Sequence, residues 1–289
     1  MREYIIFTDN MADLPVSYQR ENHIEEISLS YMIDGETYDH TNELPPKEFY
    51  DRMRAGSMPT TSQVNPENAK EAFMKKIKEG YDILHIAFTS GLSGSYNSAR
   101  VAAEEIMEEY PEAKVIVVDS LCASLGEGLL VHKAVQKKQA GATLEEAAAY
   151  VEAIKGNICQ NFTVDDLFHL HRGGRVSKAT AIVGSLASIK PVMHVDDSGH
   201  LVAIAKIRGR KKSLHALVDR MAQQIKGYEA ENDLICITHG DCVGDAHYVA
   251  DLVKEKLGID NVMINYVGST IGAHSGPGTI ALFFVGSPR

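Results

Sequence analysis

Several absences narrow what this chain can be. No apolar run approaches the ~20 residues that a membrane-spanning helix needs, and no low-complexity stretch interrupts the 289 residues. There is no G-x-x-x-x-G-K-[ST] loop to cradle a polyphosphate and no H-E-x-x-H pair to hold zinc. His239, Asp241 and His247 are too loosely spaced to take that metal role. Cysteine is scarce and unpaired in pattern. Cys122, Cys159, Cys236 and Cys242 form no C-x-x-C and lie in or beside apolar runs, so they read as small core residues. The first residues enter an apolar strand, Tyr4–Phe7, without the apolar region of a signal peptide. A reduced, cytoplasmic setting is the expectation. A formal net charge of −10 argues against general nucleic-acid binding.

What is present is globular: 44% apolar and 24% charged residues, enough for two domains or one large one. The first half alternates strands and helices, which predicts a parallel sheet covered on both faces. Strands are expected at 4–7, 81–88 and 114–118, and helices at 95–109 and 124–140. A further helix opens at Asn65-Pro66, and another at a Thr143…Glu146 capping box. Glu26–Ile33 and Glu36–Tyr38 flank Asp34-Gly35, a hairpin signal. The second half mixes a hairpin around Asp196–Gly199 with helices at 213–228 and 245–257 and strands at 234–238, 262–267 and 279–285. The fold class is therefore α/β in two domains, 1–160 with a parallel sheet and 161–289 with antiparallel elements.

Chemistry is expected in the loops. The apolar run before Phe88 and the helix after Ser95 enclose T-S-G-L-S-G-S, a Gly- and Ser-rich turn at the place where open α/β sheets bind ligands. Thr8-Asp9-Asn10, Thr60-Thr61-Ser62-Gln63 and Asp119-Ser120 also end strands, and a parallel sheet would gather these loops on one edge. Converging neutral hydroxyls suit one carboxylate held by hydrogen bonds, although Ser, Thr and Gly are also ordinary turn formers. Gly91-Leu92-Ser93-Gly94-Ser95 nearly matches a nucleophile elbow, so a serine hydrolase on Ser93 with Asp241 and His274 is an alternative. I-G-A-H-S-G-P-G at 271–278 is the second dense loop. Its glycines imply positive φ or close backbone approach, and His274 is either a ligand donor or a structural side chain.

Positive charge is concentrated in one segment. Between Leu170 and Lys212 nine Lys or Arg oppose two Asp, a net +7 that leaves −17 on the rest. Five of the nine fall within Lys206–Lys212. A blunted edge strand is one reading, a surface for an acidic or phosphorylated partner another, and an RNA patch a third.

Seven motifs in order make the resemblance to the DegV family specific: T-D-N-M-A-D-L-P at 8–15, P-T-T-S-Q at 59–63, S-G-L-S-G-S-Y-N-S-A at 90–99, D-S-L-C-A-S-L-G-E-G at 119–128, L-H-R-G-G-R-V-S at 170–177, I-K-P-V at 189–192 and G-A-H-S-G-P-G at 272–278. The family includes the fatty-acid-binding (FakB) subunits of bacterial fatty acid kinase. Asn10 departs from its usual Ser, and His171-Arg172 alters a position that is usually Lys or another residue. The resemblance implies a two-domain fold with one long-chain fatty acid, of the palmitate, stearate or oleate class, buried between the domains. It implies a carboxylate site at Thr61, Ser62, Ser93, Gly94 and His274. It also implies a docking side at Arg172, Arg175, Lys206, Arg208 and Arg210 for an ATP-dependent fatty acid kinase subunit, which would supply the ATP and metal. The chain would then be a carrier without catalysis or cofactor of its own, with no nucleic acid partner and at most transient membrane contact. Leu29, Met32, Leu167, Phe168, Ile182, Leu186, Ile189, Ile204 and Phe284 are candidates for the tail's lining, with the small-residue helix 179–188 as the expected lining element.

Overall fold

The computed structural model describes residues 2–177 and 188–288. The helix expected over 179–188, with Lys178, Ile182 and Leu186, thus falls almost wholly outside the described residues. The described residues form three sheets. Four parallel strands, β1 (Tyr4–Asp9), β2 (Ile24–Ile27), β6 (Asp82–Ala87) and β7 (Val115–Asp119), lie in the order β2-β1-β6-β7. All six residues of β1 and of β6 are buried, as a strand covered on both faces requires. Alternation divides the cover. Ile5, Phe7 and Ile83 pack with Phe73 and Ile106 of helices Pro66–Lys78 and Ser95–Glu109. Ile6, Leu84 and Ile86 pack with helices Leu125–Gln139 and Leu144–Ile154. The Thr143 capping box and the Asn65 cap both form, the latter accepting from the Asn68 amide.

A small sheet, β4-β3-β5, stands apart. Its strands are β3 (Tyr31–Ile33), β4 (Glu36–Tyr38) and β5 (Thr60–Thr61), all antiparallel. Asp34 and Gly35 have φ of 54° and 84°, the two positive values of a hairpin turn. The expected strand 26–33 is thus two strands. Ile24–Ile27 joins the parallel sheet, and the chain turns out of it before Tyr31. Likewise Thr61 does not end a parallel strand; it pairs with Tyr31 in the small sheet.

Six strands form the third sheet, in the order β10-β9-β8-β13-β11-β12. They are β8 (Ile158–Thr163), β9 (Ile189–Val195), β10 (Leu201–Arg208), β11 (Ile235–His239), β12 (Val262–Tyr266) and β13 (Ile280–Val285). All pairings are antiparallel except β11 with β12. Position 160 lies inside β8, so the change of sheet comes at Ile158. Helices Arg210–Gln224 and Val243–Leu257 cover one face of this sheet. Helix Leu125–Gln139 packs on the other and so sits between the two large sheets, buried on nearly every side. Glycine makes that fit. A Cβ on Gly126 would come 2.7 Å from Gln160 Oε1, and one on Gly128 2.8 Å from Ala12 O.

Candidate functional site

Because β1, β6 and β7 are parallel neighbours, their C-terminal loops meet as expected, and they are tied to one another. Asp9 Oδ2 accepts from the Phe88 amide at 2.7 Å, and Asp119 Oδ1 from the Ser90 amide at 3.1 Å. Asn10 exchanges two bonds with the Leu29 backbone, at 3.2 and 3.1 Å, fixing Leu29 beside the first loop. These loops, the small sheet and the inner face of the six-stranded sheet line a cavity of ≈ 540 Å³. Its walls are mainly apolar: Met11, Leu29, Phe88 and Leu92 from one half, Phe162, Leu170, Val195, Leu201 and Phe283 from the other.

Polar groups converge at one place on that lining. Thr61 Oγ1 lies 2.8 Å from His274 Nε2. His274 is not on a loop: it occupies the last turn of helix Ser269–Ser275, which ends at Gly276 with φ of 78°. Gly173 lets another backbone approach the ring, since a Cβ there would be 2.1 Å from Nδ1. Burial, then the charges of Arg175 and Arg172, lower the His274 pKa to about 4, so the ring is neutral near pH 7. Its Nδ1 is buried with no hydrogen-bond partner. Ser93 Oγ accepts from the Ser95 amide at 3.2 Å and lies 2.9 Å from Ser95 Oγ. Gly94 completes the turn against Gln63, whose Oε1 would be 2.3 Å from a Cβ at that position. Thr61, Gln63, Ser93, Gly94 and His274 all line the cavity. Ser62 does not: it is exposed and its amide donates to Ser30 O. Gln63, also exposed, does reach the lining; both residues lie beyond the two-residue strand β5.

The expected docking arginines divide into two groups. Arg175 lines the cavity, with Nε and Nη2 donating to Leu92 O and Nη1 to Gly173 O. The site is therefore not free of cationic side chains, contrary to the reading from its loops alone. Arg172 donates to Pro59 O at 3.2 Å and Ala273 O at 3.1 Å. It thereby joins the strand carrying Thr61 to the helix carrying His274. Both residues brace the site from within. Arg210 is also committed, to Asp245 at 2.8 Å. Lys206 and Arg208 on the edge strand β10, with Lys211 and Lys212 after it, are exposed.

The hydrolase arrangement does not assemble. Ser93 meets Ser95, His274 meets Thr61, and Asp241 pairs with Arg54. Among the described residues, no group of three or more His, Cys, Asp or Glu is placed to hold a metal, and no helix is long and apolar enough to cross a membrane. Of the tail candidates among the described residues, only Leu29 lines the cavity. Met32, Phe168 and Ile204 are exposed, while Leu167 and Phe284 are buried in the surrounding cores. On β13 the parity matters: Ala281 and Phe283 face the cavity, while Ile280, Leu282 and Phe284 pack against the outer helices.

Comparison with known proteins places this arrangement among relatives. A family model described as "Uncharacterised protein, DegV family" matches residues 4–287. A DegV domain-containing protein of Clostridium perfringens is 44% identical over 291 aligned positions, covering 100% of this chain and 99% of its own. A fatty-acid-binding DegV family protein from Thermus thermophilus superposes with a TM-score of 0.86 at 27% identity, covering 99% of this chain and 100% of its own. A DegV lipid-binding protein from Thermotoga maritima does so with a TM-score of 0.85 at 29% identity, covering 99% of each chain.

Proposed function

The chain belongs to the DegV family, and from that premise we propose that it binds one long-chain fatty acid and presents the carboxylate to a separate ATP-dependent kinase. The observation that carries this reading is the apolar cavity ending in the Thr61–His274 pair. A sixteen-carbon chain has about fourteen methylenes, each contributing about 0.8 kcal/mol when buried. Chain ordering and association entropy offset part of that gain. The carboxylate loses water on entry and needs donors in return. With His274 neutral and protonated on Nε2, the ring donates to Thr61, leaving the Thr61 O–H for a carboxylate oxygen. Ser93 O–H and the Gly94 amide are the further donors assigned to the head group.

Arg175 places positive charge beside this end, with three of its five N–H groups spent on the carbonyl oxygens of Leu92 and Gly173. The carboxylate is attracted by this charge while its oxygens keep a lone pair able to attack phosphorus. In the partner's reaction that oxygen would bond to the γ-phosphorus of ATP as the bond to ADP breaks. The docking surface is assigned to the exposed cations Lys206, Arg208, Lys211 and Lys212, and not to Arg172, Arg175 or Arg210. Transient contact with a membrane, from the cytoplasmic side, would use the same face. Native purification followed by denaturing extraction and mass spectrometry tests the binding. A stoichiometric fatty acid is expected. No lipid, together with no uptake of palmitate or oleate, would overturn it.

A further inference from the structure

One part of the cavity wall is polar without belonging to the carboxylate site. Ser124 and Thr238 both line the cavity, and their hydroxyl oxygens lie 2.9 Å apart. Ser124 Oγ also hydrogen-bonds Asp13 Oδ2, and Asp13 Oδ1 accepts from the Gly268 amide at 3.0 Å. Ser124 holds a strained backbone for a non-glycine residue, φ 54° and ψ −144°. It stands at the N-cap of helix Leu125–Gln139, yet its hydroxyl makes no capping bond. The side chain is turned toward Asp13 and Thr238 instead. Ser275 lines the same cavity, 5% exposed, and its Oγ has no hydrogen-bond partner. The neighbouring Thr279 hydroxyl is spent on Ser275 O and Gly276 O.

An unsubstituted acyl chain laid against these oxygens would leave Ser275 Oγ without a partner and the Thr238 end of the Ser124–Thr238 row unmet, which is costly in a buried site. We propose that Ser124, Thr238 and Ser275 form a second polar station that recognises a hydroxyl on the acyl chain, so that the protein takes hydroxylated long-chain fatty acids. This rests on the fatty-acid reading above. The row Asp13–Ser124–Thr238 can run in either direction. With Asp13 ionised, Ser124 donates to it, Thr238 donates to Ser124, and Thr238 offers a lone pair to the cavity. With Asp13 protonated, the donors reverse and Thr238 offers its proton. Burial pushes Asp13 up to about 8, so the protonated row prevails near pH 7. A hydroxyl both donates and accepts and therefore suits either direction, and its remaining capacity matches the free Ser275 Oγ.

Binding of stearate and the positional isomers of monohydroxystearate to delipidated protein tests this, in the wild type, Thr238→Val and Ser275→Ala. At least one isomer should bind the wild type about five-fold tighter than stearate, the worth of one hydrogen bond. Each substitution should reduce that ratio. Circular dichroism and melting check the fold, and Ser275→Ala carries the test should Thr238→Val fail to fold. No isomer preferred over stearate, or a ratio unchanged by substitution, overturns the second station while leaving the fatty-acid reading intact. Failure of the wild type to bind stearate or any isomer overturns both.

Discussion

At Thr61, Ser93 and His274 the surroundings decide what each side chain can offer. A hydrogen bond to a charged acceptor contributes about 1.5–3 kcal/mol, so Thr61→Ala or Ser93→Ala should weaken fatty acid binding about ten-fold or more. Isothermal titration with palmitate reads this directly, and unchanged affinity in both variants would remove the carboxylate from this place. His274 is held neutral by burial and by two arginines. Its folded pKa is depressed from 6.5 to about 4, so its neutral form contributes stability that is present above pH 6.5. That contribution is lost as pH falls through about 4. NMR of the imidazole, assigned through His274→Gln, should show a titration midpoint near 4. A midpoint at 6.5 would mean an open, hydrated ring. Thr61, Ser93, Gly94 and His274, which line the cavity, stood out in the sequence because Gly-rich turns and hydroxyls cluster there, whereas Gln63 did not and Ser62 lies off the lining. The roles of Arg172 and Arg175 were not legible. A cation's charge is visible in a sequence, but the carbonyls of Pro59, Leu92 and Ala273 that consume its donors are brought by distant elements.

Among the elements, the short helix Ser269–Ser275 and the turn after Arg172 form one unit through the Gly173–His274 approach. Gly173 has an ordinary right-handed backbone, φ −74°, so alanine is allowed there except for the imidazole it would strike. Gly173→Ala should keep the fold and displace His274. Palmitate affinity should fall several-fold with little change in melting temperature, and equal affinity would show that the ring position is unimportant. Long periodic helices were readable from sequence: 95–109 coincides with the expected span, and 125–139 differs from it by one residue at each end. The helix carrying His274 was not, because Gly272 and Gly276 read as a loop. Gly272 is helical for a packing reason: a Cβ there would meet the Tyr50 hydroxyl at 2.5 Å. The two-residue strand Thr60–Thr61 is similarly silent in sequence, since only its pairing with Tyr31 makes it a strand.

Across the whole molecule, charge is segregated as the sequence indicated, yet only part of the basic segment remains outside internal pairing. Lys206→Glu with Arg208→Glu should lower acyl-phosphate formation with the kinase at least ten-fold while co-purified lipid stays stoichiometric. Equal turnover would move the docking surface elsewhere, and loss of lipid as well would indicate damage to the fold. Arg210→Glu is unsuitable for this purpose because it also breaks the pair with Asp245. The parallel sheet could be named from strand–helix alternation, but not strand Ile158–Thr163 of the six-stranded sheet, nor the helix the two sheets share. Leu125–Gln139 presents Leu125, Leu129, Leu130 and Val131 to its surroundings with no exposure at all. Uncovering each such side chain costs about 1.5–3 kcal/mol, and together they rival the 5–15 kcal/mol that holds a typical domain folded. Parting the halves like the covers of a book is therefore costly. A ligand of the proposed kind would enter more cheaply by the mouth of the cavity, with the spine of the molecule left shut.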